Sequence, residues 1–370
     1  VTAQHITIPI HDFSAGGTEL IAFRLARAWV QAGRRVSLLA GASDGPLRAR
    51  VPDGVEVHLL SPEHPRSATS RLHLGKAMAP VMQSLAPDAV FIPGNFHFGL
   101  ARPIKKALPS ATIIGKISNP LHSGGFPPLP IARIGVRMVA RGIDCLVAMA
   151  PSLRNEATRY IDPMRVTVIP DPFLDDATLF RARPRKPARP GRPLHLLTVG
   201  RLEEQKDPKL ALAVLAELLR YRHNVKLTLL GGGPLEDELR ALIAQNPDFE
   251  GRLTLAGYVA DPAPHYAAAD MLLMTSQFEG VPAVIGEALS HGLPFVATDC
   301  SPWLRALSID HPSLGAVIAD RTPAAVAEAT LLKAARPYPT VNEIEAGIGA
   351  HRIGNAAAAY LDLFDSFGEE

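Results

Sequence analysis

Two cysteines in 370 residues provide no disulfide framework, so the fold has to rest on buried apolar surface. Cys145 and Cys300 each lie in or beside apolar segments and read as small core residues, and a reducing cytoplasm fits them best. No apolar run reaches the roughly 18 residues that a spanning helix needs, so any membrane association is expected to be peripheral. The opening HITIPIHDF stretch is too short and too polar for a signal peptide. Strong net charge is also missing. With 38 Lys and Arg against 36 Asp and Glu the balance is +2, which argues against a nucleic-acid partner. Asp-x-Asp and His/Cys ligand spacings are absent, so no metal site and no bound cofactor are expected. Gly-x-Gly-x-x-Gly is absent after the first strand-like segment, which speaks against a dinucleotide oxidoreductase.

What is present is an ordinary globular composition, 47% apolar and 20% charged, over a length that suits two domains at roughly 150 residues each. The charge is unevenly spread. Residues 1–190 carry 24 Lys/Arg against 13 Asp/Glu, and residues 191–370 carry 14 against 23. A basic front half can face an anionic partner such as a membrane surface or a phosphorylated acceptor, or can serve solubility alone.

The first half alternates strand-like and helix-like segments. Residues 4–10 are strand-like, and Gly16-Gly17-Thr18-Glu19 opens a helix with an apolar face that includes Leu20, Phe23, Leu25 and Trp29. Val36–Ala40, Val55–Leu60, Ala89–Ile92, Thr112–Ile117 and Cys145–Ala148 are further strands. Pro170 to Pro193 holds six prolines and a run of cations with no apolar period, which marks a connection. The alternation restarts with strands at Leu194–Val199, Val225–Leu230, Leu253–Ala256, Met271–Thr275 and Phe295–Ala297. Helices are expected at Pro208–Arg220, Leu235–Gln245, His265–Ala269 and Ala283–His291. The predicted fold is therefore α/β, with two doubly wound Rossmann-like domains facing across a cleft: residues 1–172, a linker 173–193, and residues 194–349. A last amphipathic helix, about 353–367, is expected to pack back on the first domain.

A glycine turn between strand and helix can be simple geometry, or an anion site built from free helix N–H groups. Three such turns occur, at Gly16-Gly17, at Gly231-Gly232-Gly233-Pro234 and at Glu279-Gly280-Val281-Pro282. Together, at strand ends in two domains, they suggest a ligand carrying a diphosphate. Arg201 and Lys206, on the loop after the strand ending at Val199, could neutralise a leaving diphosphate or could simply be solvated. Glu279 stands in a turn. Glu287 stands among Ala283, Val284, Ile285, Ala288 and Leu289, where a carboxylate wants hydroxyl partners such as a ribose diol.

The second half resembles the retaining glycosyltransferases of family 4, which have the GT-B fold. The resemblance rests on Gly200-Arg201-Leu202 with Gln205-Lys206, the Gly231–Pro234 turn, Leu255-Ala256-Gly257-Tyr258-Val259 and Tyr266-Ala267-Ala268-Ala269-Asp270. It continues through Phe278-Glu279-Gly280-Val281-Pro282 to Glu287-Ala288-Leu289 and Gly292–Asp299. The first half matches more thinly, at Gly16–Glu19 and at Met164–Pro172.

The resemblance implies a transfer of a hexose-type sugar from a nucleotide-sugar donor, UDP-sugar first and GDP-mannose next. The acceptor would be a glycan or a lipid-linked molecule in cell-surface polysaccharide synthesis, the anomer would be retained, and no divalent ion would be needed. Glu279 would contact the donor sugar and Glu287 the ribose. Arg201 and Lys206 would bind the diphosphate. Gly280, Val281, Pro282 and Ala283 would approach sugar and phosphates. Gly257, Tyr258 and Val259 would border the base, with Gly233 nearby. Gly16 and Gly17 would close over the phosphates from the first domain. Two departures stand out. Ser118 or Asn119 takes the place of a histidine found in many members, with His122 a few residues on as a candidate catalytic group, and Asp171 stands where Asn is common. Competing readings are a nucleotide-sugar epimerase of the non-hydrolysing type and a non-catalytic nucleotide-sugar-binding protein.

Residues 131–143 admit two further readings. Arg133, Arg137 and Arg141 recur every fourth residue with Ile134, Val136, Met138 and Val139 between them. The segment either lies on an anionic membrane or is a core-facing helix with a solvated stripe.

Overall fold

The computed structural model describes the chain except residues 1, 15, 67–69, 122–128, 184–191, 222–223 and 368–370. It divides into two compact units, residues 1–176 with 351–370 and residues 177–350.

The first unit runs β1 (His5–Ile10), α1 (Gly17–Gln31), β2 (Arg35–Ala40), β3 (Val55–Leu59), α2 (Ser70–Leu85), β4 (Ala89–Ile92), α3 (Phe98–Ala107), β5 (Thr112–Ile117), α4 (Leu129–Val139), β6 (Cys145–Ala148), α5 (Pro151–Ala157) and β7 (Val166–Val168). Among the described residues its sheet has seven strands, all parallel, in the order β3-β2-β1-β4-β5-β6-β7. β1, β4 and β6 are buried along their whole length, as strands covered on both faces must be, and this is why β4 and β6 read as unbroken apolar runs, while β1 also buries His5 and Thr7.

The second unit repeats the design. It runs β8 (Leu194–Val199), α6 (Pro208–Arg220), β9 (Val225–Leu230), α7 (Glu236–Ala244), β10 (Leu253–Leu255), α8 (Ala263–Ala268), β11 (Met271–Met274), α9 (Ala283–Ser290), β12 (Phe295–Thr298), α10 (Pro302–Asp310), β13 (Gly315–Ile318), α11 (Pro323–Ala334) and α12 (Val341–Ile348). Among the described residues its sheet has six parallel strands, ordered β10-β9-β8-β11-β12-β13. The core gathers Leu196, Leu227, Leu229, Met271, Leu273 and Val296 from the strands with Leu212, Leu215, Leu218 and Val326 from helices. Helix starts are specified locally. Asp207 accepts from the Leu210 N–H ahead of Pro208, and Thr340 with Glu343 forms a capping box at α12.

The last helix, α13 (Ile353–Ser366), belongs to the first unit. Trp29 of α1 meets the rings of Tyr360 and Phe364 edge-on, with centroids 6.0 and 5.5 Å away, and its indole N–H donates to the Ala357 carbonyl. All three rings are fully buried, and truncating any one costs about 3–5 kcal/mol. Phe173 and Leu174 are also buried in the first unit, so the connection begins after Asp176 rather than at 173.

The helix over 131–139 is not core-facing in the way its apolar residues suggest. α4 turns Ala132 inward and leaves Ile131, Ile134, Met138 and Val139 between 47% and 61% exposed. Ala132 and, in the turn that follows α4, Ala140 face inward, and the larger apolar side chains are left outside.

Candidate functional site

In both sheets the chain starts in the middle and winds outward in two directions, so the loops leaving the two central strands diverge and open a crevice. In the second unit those strands are β8 and β11, and their following loops are residues 200–207 and 275–282. The loops are tied together. Thr275 Oγ1 donates to the carbonyls of Lys206 and Asp207 at 3.1 and 2.8 Å, and Gln205 Nε2 donates to the Phe278 carbonyl at 2.9 Å. Arg321, from the segment after β13, donates to Asp207 Oδ2 and Ser276 O at 2.7 Å and to Thr275 O at 3.0 Å. These bonds hold Asp207 at φ +46°, a left-handed conformation that a side chain adopts only under constraint.

This scaffold brings Lys206 and Glu279 together, with Nζ and Oε1 2.5 Å apart. Glu279 is 7% exposed and sits beside Cys300, whose carbonyl accepts from the Glu279 N–H. Burial and the neighbouring Glu279 charge push the Cys300 thiol up to about 12. Ser301 Oγ donates to the Gly280 carbonyl at 2.5 Å and fixes the turn that leads into α9. No side chain caps α9, and its first turn carries no acid, so its positive dipole end faces the turn uncapped, with the Ile285 N–H bonded to the Pro282 carbonyl. A small pocket here is lined by Gly200, Arg201, Lys206, Ser276 and Val284. Arg201 is the looser of the two cations: its side chain is 63% exposed and 3.5 Å from Glu203.

Glu287 lies one face further along α9, half-buried. The Tyr266 hydroxyl donates to its Oε2 at 2.8 Å, and the His291 ring stacks on Tyr266. Burial, then the Glu287 charge, raises the Tyr266 pKa well above the usual tyrosine range, so the phenol stays a donor. One carboxylate oxygen is thereby held while Oε1 has no bond to Tyr266.

The triglycine turn is explained by packing. Gly231 has φ +132°, and a Cβ there would lie 1.9 Å from the Gly200 carbonyl oxygen. A Cβ on Gly233 would lie 2.5 Å from the Leu202 carbonyl. The helix that follows, α7, opens on Glu236, Asp237 and Glu238, so its dipole end is met by its own carboxylates rather than open to an anion. Gly257, at φ +68°, accepts from the Gly231 N–H and leaves Tyr258 73% exposed, with Val259 half-buried beside it.

In the first unit the central strands are β1 and β4. Gly16 precedes α1, and the buried Glu19 in the first helical turn reaches back to where a Gly16 side chain would be. Burial raises the Glu19 pKa. This helix start therefore already holds a carboxyl, and among the described residues nothing lies within 4 Å of where a Gly17 Cβ would stand. Nearby, Arg66 makes two 2.8 Å bonds to Asp12. Burial works to raise the Asp12 pKa, but the bonds from Arg66 and Ser14 hold it well below the usual carboxylate range. At the ends of β4 and β5, Ser118 and Asn119 join Asn95 in a hydrogen-bonded cluster. Asp171 pairs with the buried Lys116, which gives its carboxylate a partner that asparagine would not match. His122 lies outside the described residues.

Arg321, Thr275 and Ser301 were not expected from the sequence. Each acts across a long chain separation on a backbone carbonyl, which leaves no local pattern. Tyr266 stood in a quoted motif, but its partner was not legible there.

Two family descriptions match the chain, "Glycosyl transferase 4-like domain" over residues 16–172 and "Glycosyl transferases group 1" over residues 193–333. A D-inositol 3-phosphate glycosyltransferase of Kineococcus radiotolerans is 34% identical over 202 residues, which cover 50% of this chain and 46% of that protein. A GDP-mannose-dependent alpha-(1-6)-phosphatidylinositol monomannoside mannosyltransferase of Mycobacterium tuberculosis is 28% identical over 251 residues, which cover 63% and 64%. The chain thus spans between about half and two thirds of these relatives' lengths. The crystal structure of Anabaena Alr3699/HepE with UDP and glucose covers 98% of this chain and 100% of its own at a TM-score of 0.77 and 16% identity, a likeness of fold.

Proposed function

Since the chain belongs to the group 1 glycosyltransferases, we propose that it moves a glycosyl group from a nucleoside-diphosphate sugar, bound by the second unit, to a glycan or lipid-linked acceptor in cell-surface polysaccharide synthesis. The observation that carries this reading is the Lys206–Glu279 pair beside the uncapped start of α9, where two diverging loops meet. An ammonium and free amide groups suit a diphosphate, and a carboxylate suits sugar hydroxyls. On donor binding, Lys206 is shared between Glu279 and the diphosphate. Arg201, exposed and loosely paired, swings in as the second cation. Glu287, with Oε2 held by Tyr266, takes the ribose diol through Oε1. Tyr258 borders the base.

The reaction breaks the bond between the anomeric carbon and the diphosphate oxygen and forms one to the acceptor hydroxyl. The hydroxyl proton passes to the leaving phosphate oxygen on the same face, so configuration is retained. Lys206, Arg201 and the α9 amides stabilise the charge that grows on the leaving group, without a divalent ion. UDP is the favoured carrier and GDP the next, in keeping with the UDP held by the Anabaena protein and the GDP-mannose named for the mycobacterial one. Incubation with UDP-glucose, UDP-galactose, UDP-N-acetylglucosamine and GDP-mannose, with and without chelator, tests this by nucleoside diphosphate release. Release from one donor, unchanged by chelator, is expected. Release that stops on chelation would overturn the metal-independent step, and epimerised donor without transfer would replace the activity.

A further inference from the structure

The second interaction surface lies on the first unit. α4 and the turn that follows it carry three stripes at helical spacing. Ala132, Val136 and Ala140 face inward, Val136 being partly covered. Ile131, Ile134 and Met138 form an outward stripe, 58%, 61% and 59% exposed. Arg133, Arg137 and Arg141 run between the two, all exposed. Arg133 and Arg137 are anchored through Nε to the carbonyls of Arg159 and Tyr160, which aims the row along the border of the apolar stripe.

The charge of the chain segment that carries this helix is one-sided. From residue 89 to residue 143 the chain has no Asp or Glu and seven Lys or Arg. Lys116 is buried against Asp171 and Lys105 pairs with Asp144. The remaining five, Arg102, Lys106, Arg133, Arg137 and Arg141, are exposed, and α3, which carries Arg102 and Lys106, packs against α4. Three large apolar side chains in a row, beside exposed cations on a segment that carries no acid of its own, match a surface that is apolar below and anionic above.

We propose that α4 docks this chain on an anionic phospholipid bilayer, with Ile131, Ile134 and Met138 inserted at the acyl boundary and the five cations at the headgroups. No helix among the described residues is long and apolar enough to cross a membrane, so the contact is interfacial. The inference is independent of the glycosyl-transfer reading, because binding is measured with neither donor nor acceptor. Each cation near an anionic leaflet is worth about fivefold in affinity, and the attraction is screened by salt.

The test is flotation of the full chain with vesicles of phosphatidylglycerol mixed with phosphatidylcholine, and with phosphatidylcholine alone. Binding is expected to the first at low salt, roughly tenfold weaker at high salt, and much weaker to the second. The double variant Ile134→Ser with Met138→Ser should lower binding about tenfold or more, and Arg102→Gln with Arg141→Gln about fivefold or more, at unchanged melting temperature because all four residues are exposed. Three results would overturn the proposal: no binding of the wild type at low salt, wild-type binding by both double variants, or a dimer in sedimentation velocity that Ile134→Ser with Met138→Ser dissociates, which would make the face a contact between copies.

Discussion

Replacing Lys206 with methionine removes one half of an ion pair and leaves the other half almost buried. At 2.5 Å and an effective dielectric near 20, the gross attraction is about 6–7 kcal/mol. Desolvation of two charges takes back several kcal/mol, so the net worth of the pair is about 1–3 kcal/mol. Breaking a fully buried pair from one side costs about 3–5 kcal/mol. The Lys206 side chain is 27% exposed, so water reaches the orphaned Glu279 and about 2–3 kcal/mol is the better expectation for Lys206→Met. The double variant Lys206→Met with Glu279→Gln no longer strands a charge and should regain most of that stability. Turnover behaves differently. Loss of one preorganised cation at a developing charge lowers kcat by about 10²–10³, and neutralising Glu279 cannot restore it. Thermal melting and nucleoside diphosphate release, measured on wild type, both single variants and the double, separate the two effects. A double variant with turnover within about fivefold of wild type would refute the reasoning, because Lys206 would then serve only to pair Glu279.

Tyr266→Phe removes a bond to a carboxylate worth about 1.5–3 kcal/mol, so the donor KM should rise roughly tenfold or more while kcat changes little; an unchanged KM would mean that Glu287 needs no positioning. Gly231→Ala should cost about 3 kcal/mol or more, read as a fall in melting temperature, since the new Cβ meets the Gly200 carbonyl at 1.9 Å in a left-handed backbone. Lys333, 7% exposed and bonded to the carbonyls of Pro312 and Ser313, has its pKa lowered by burial to about 8. The unfolded chain binds its proton up to about pH 10.4, so stability relative to Lys333→Met should rise between pH 8 and about 10.4, by up to roughly 3 kcal/mol, and be flat below. A difference in denaturant midpoints that does not move with pH would count against a buried charge there. Both cysteines have pKa values raised by burial, Cys300 to about 12, so the native chain should react with iodoacetamide at pH 8 far more slowly than the unfolded chain.

The fold was legible where local chemistry and global need agree. Buried parallel strands must be apolar throughout, and Ala89–Ile92, Cys145–Ala148 and Met271–Met274 are. The alternation with helices then implied two doubly wound sheets, which the strand orders bear out. Beyond Phe295–Ala297 the expectation named no strand or helix before residue 353, and β13 with α10, α11 and α12 fills that stretch. Gly315–Ile318 is too short and too weakly alternating to stand out without its neighbour β12. The residues that fix the site geometry were hidden for a different reason. Arg321 reaches Asp207 across 114 positions and Lys206 reaches Glu279 across 73, so the partners are set by strand order rather than by spacing. α4 shows the opposite failure. Its periodicity was visible, but periodicity does not say which stripe faces in, and here two alanines won the interior over isoleucine and methionine.

The central claim is that the crevice of the second unit holds a nucleoside diphosphate with its ribose on Glu287. Calorimetric titration with UDP and with 2′-deoxy-UDP, and the same pair for guanosine, tests it on wild type and on Glu287→Ala. One ribonucleotide should bind wild type about tenfold more tightly than its deoxy form, and that preference should vanish in Glu287→Ala. Failure of every nucleotide to bind, or a ribose preference that survives in Glu287→Ala, would contradict the account.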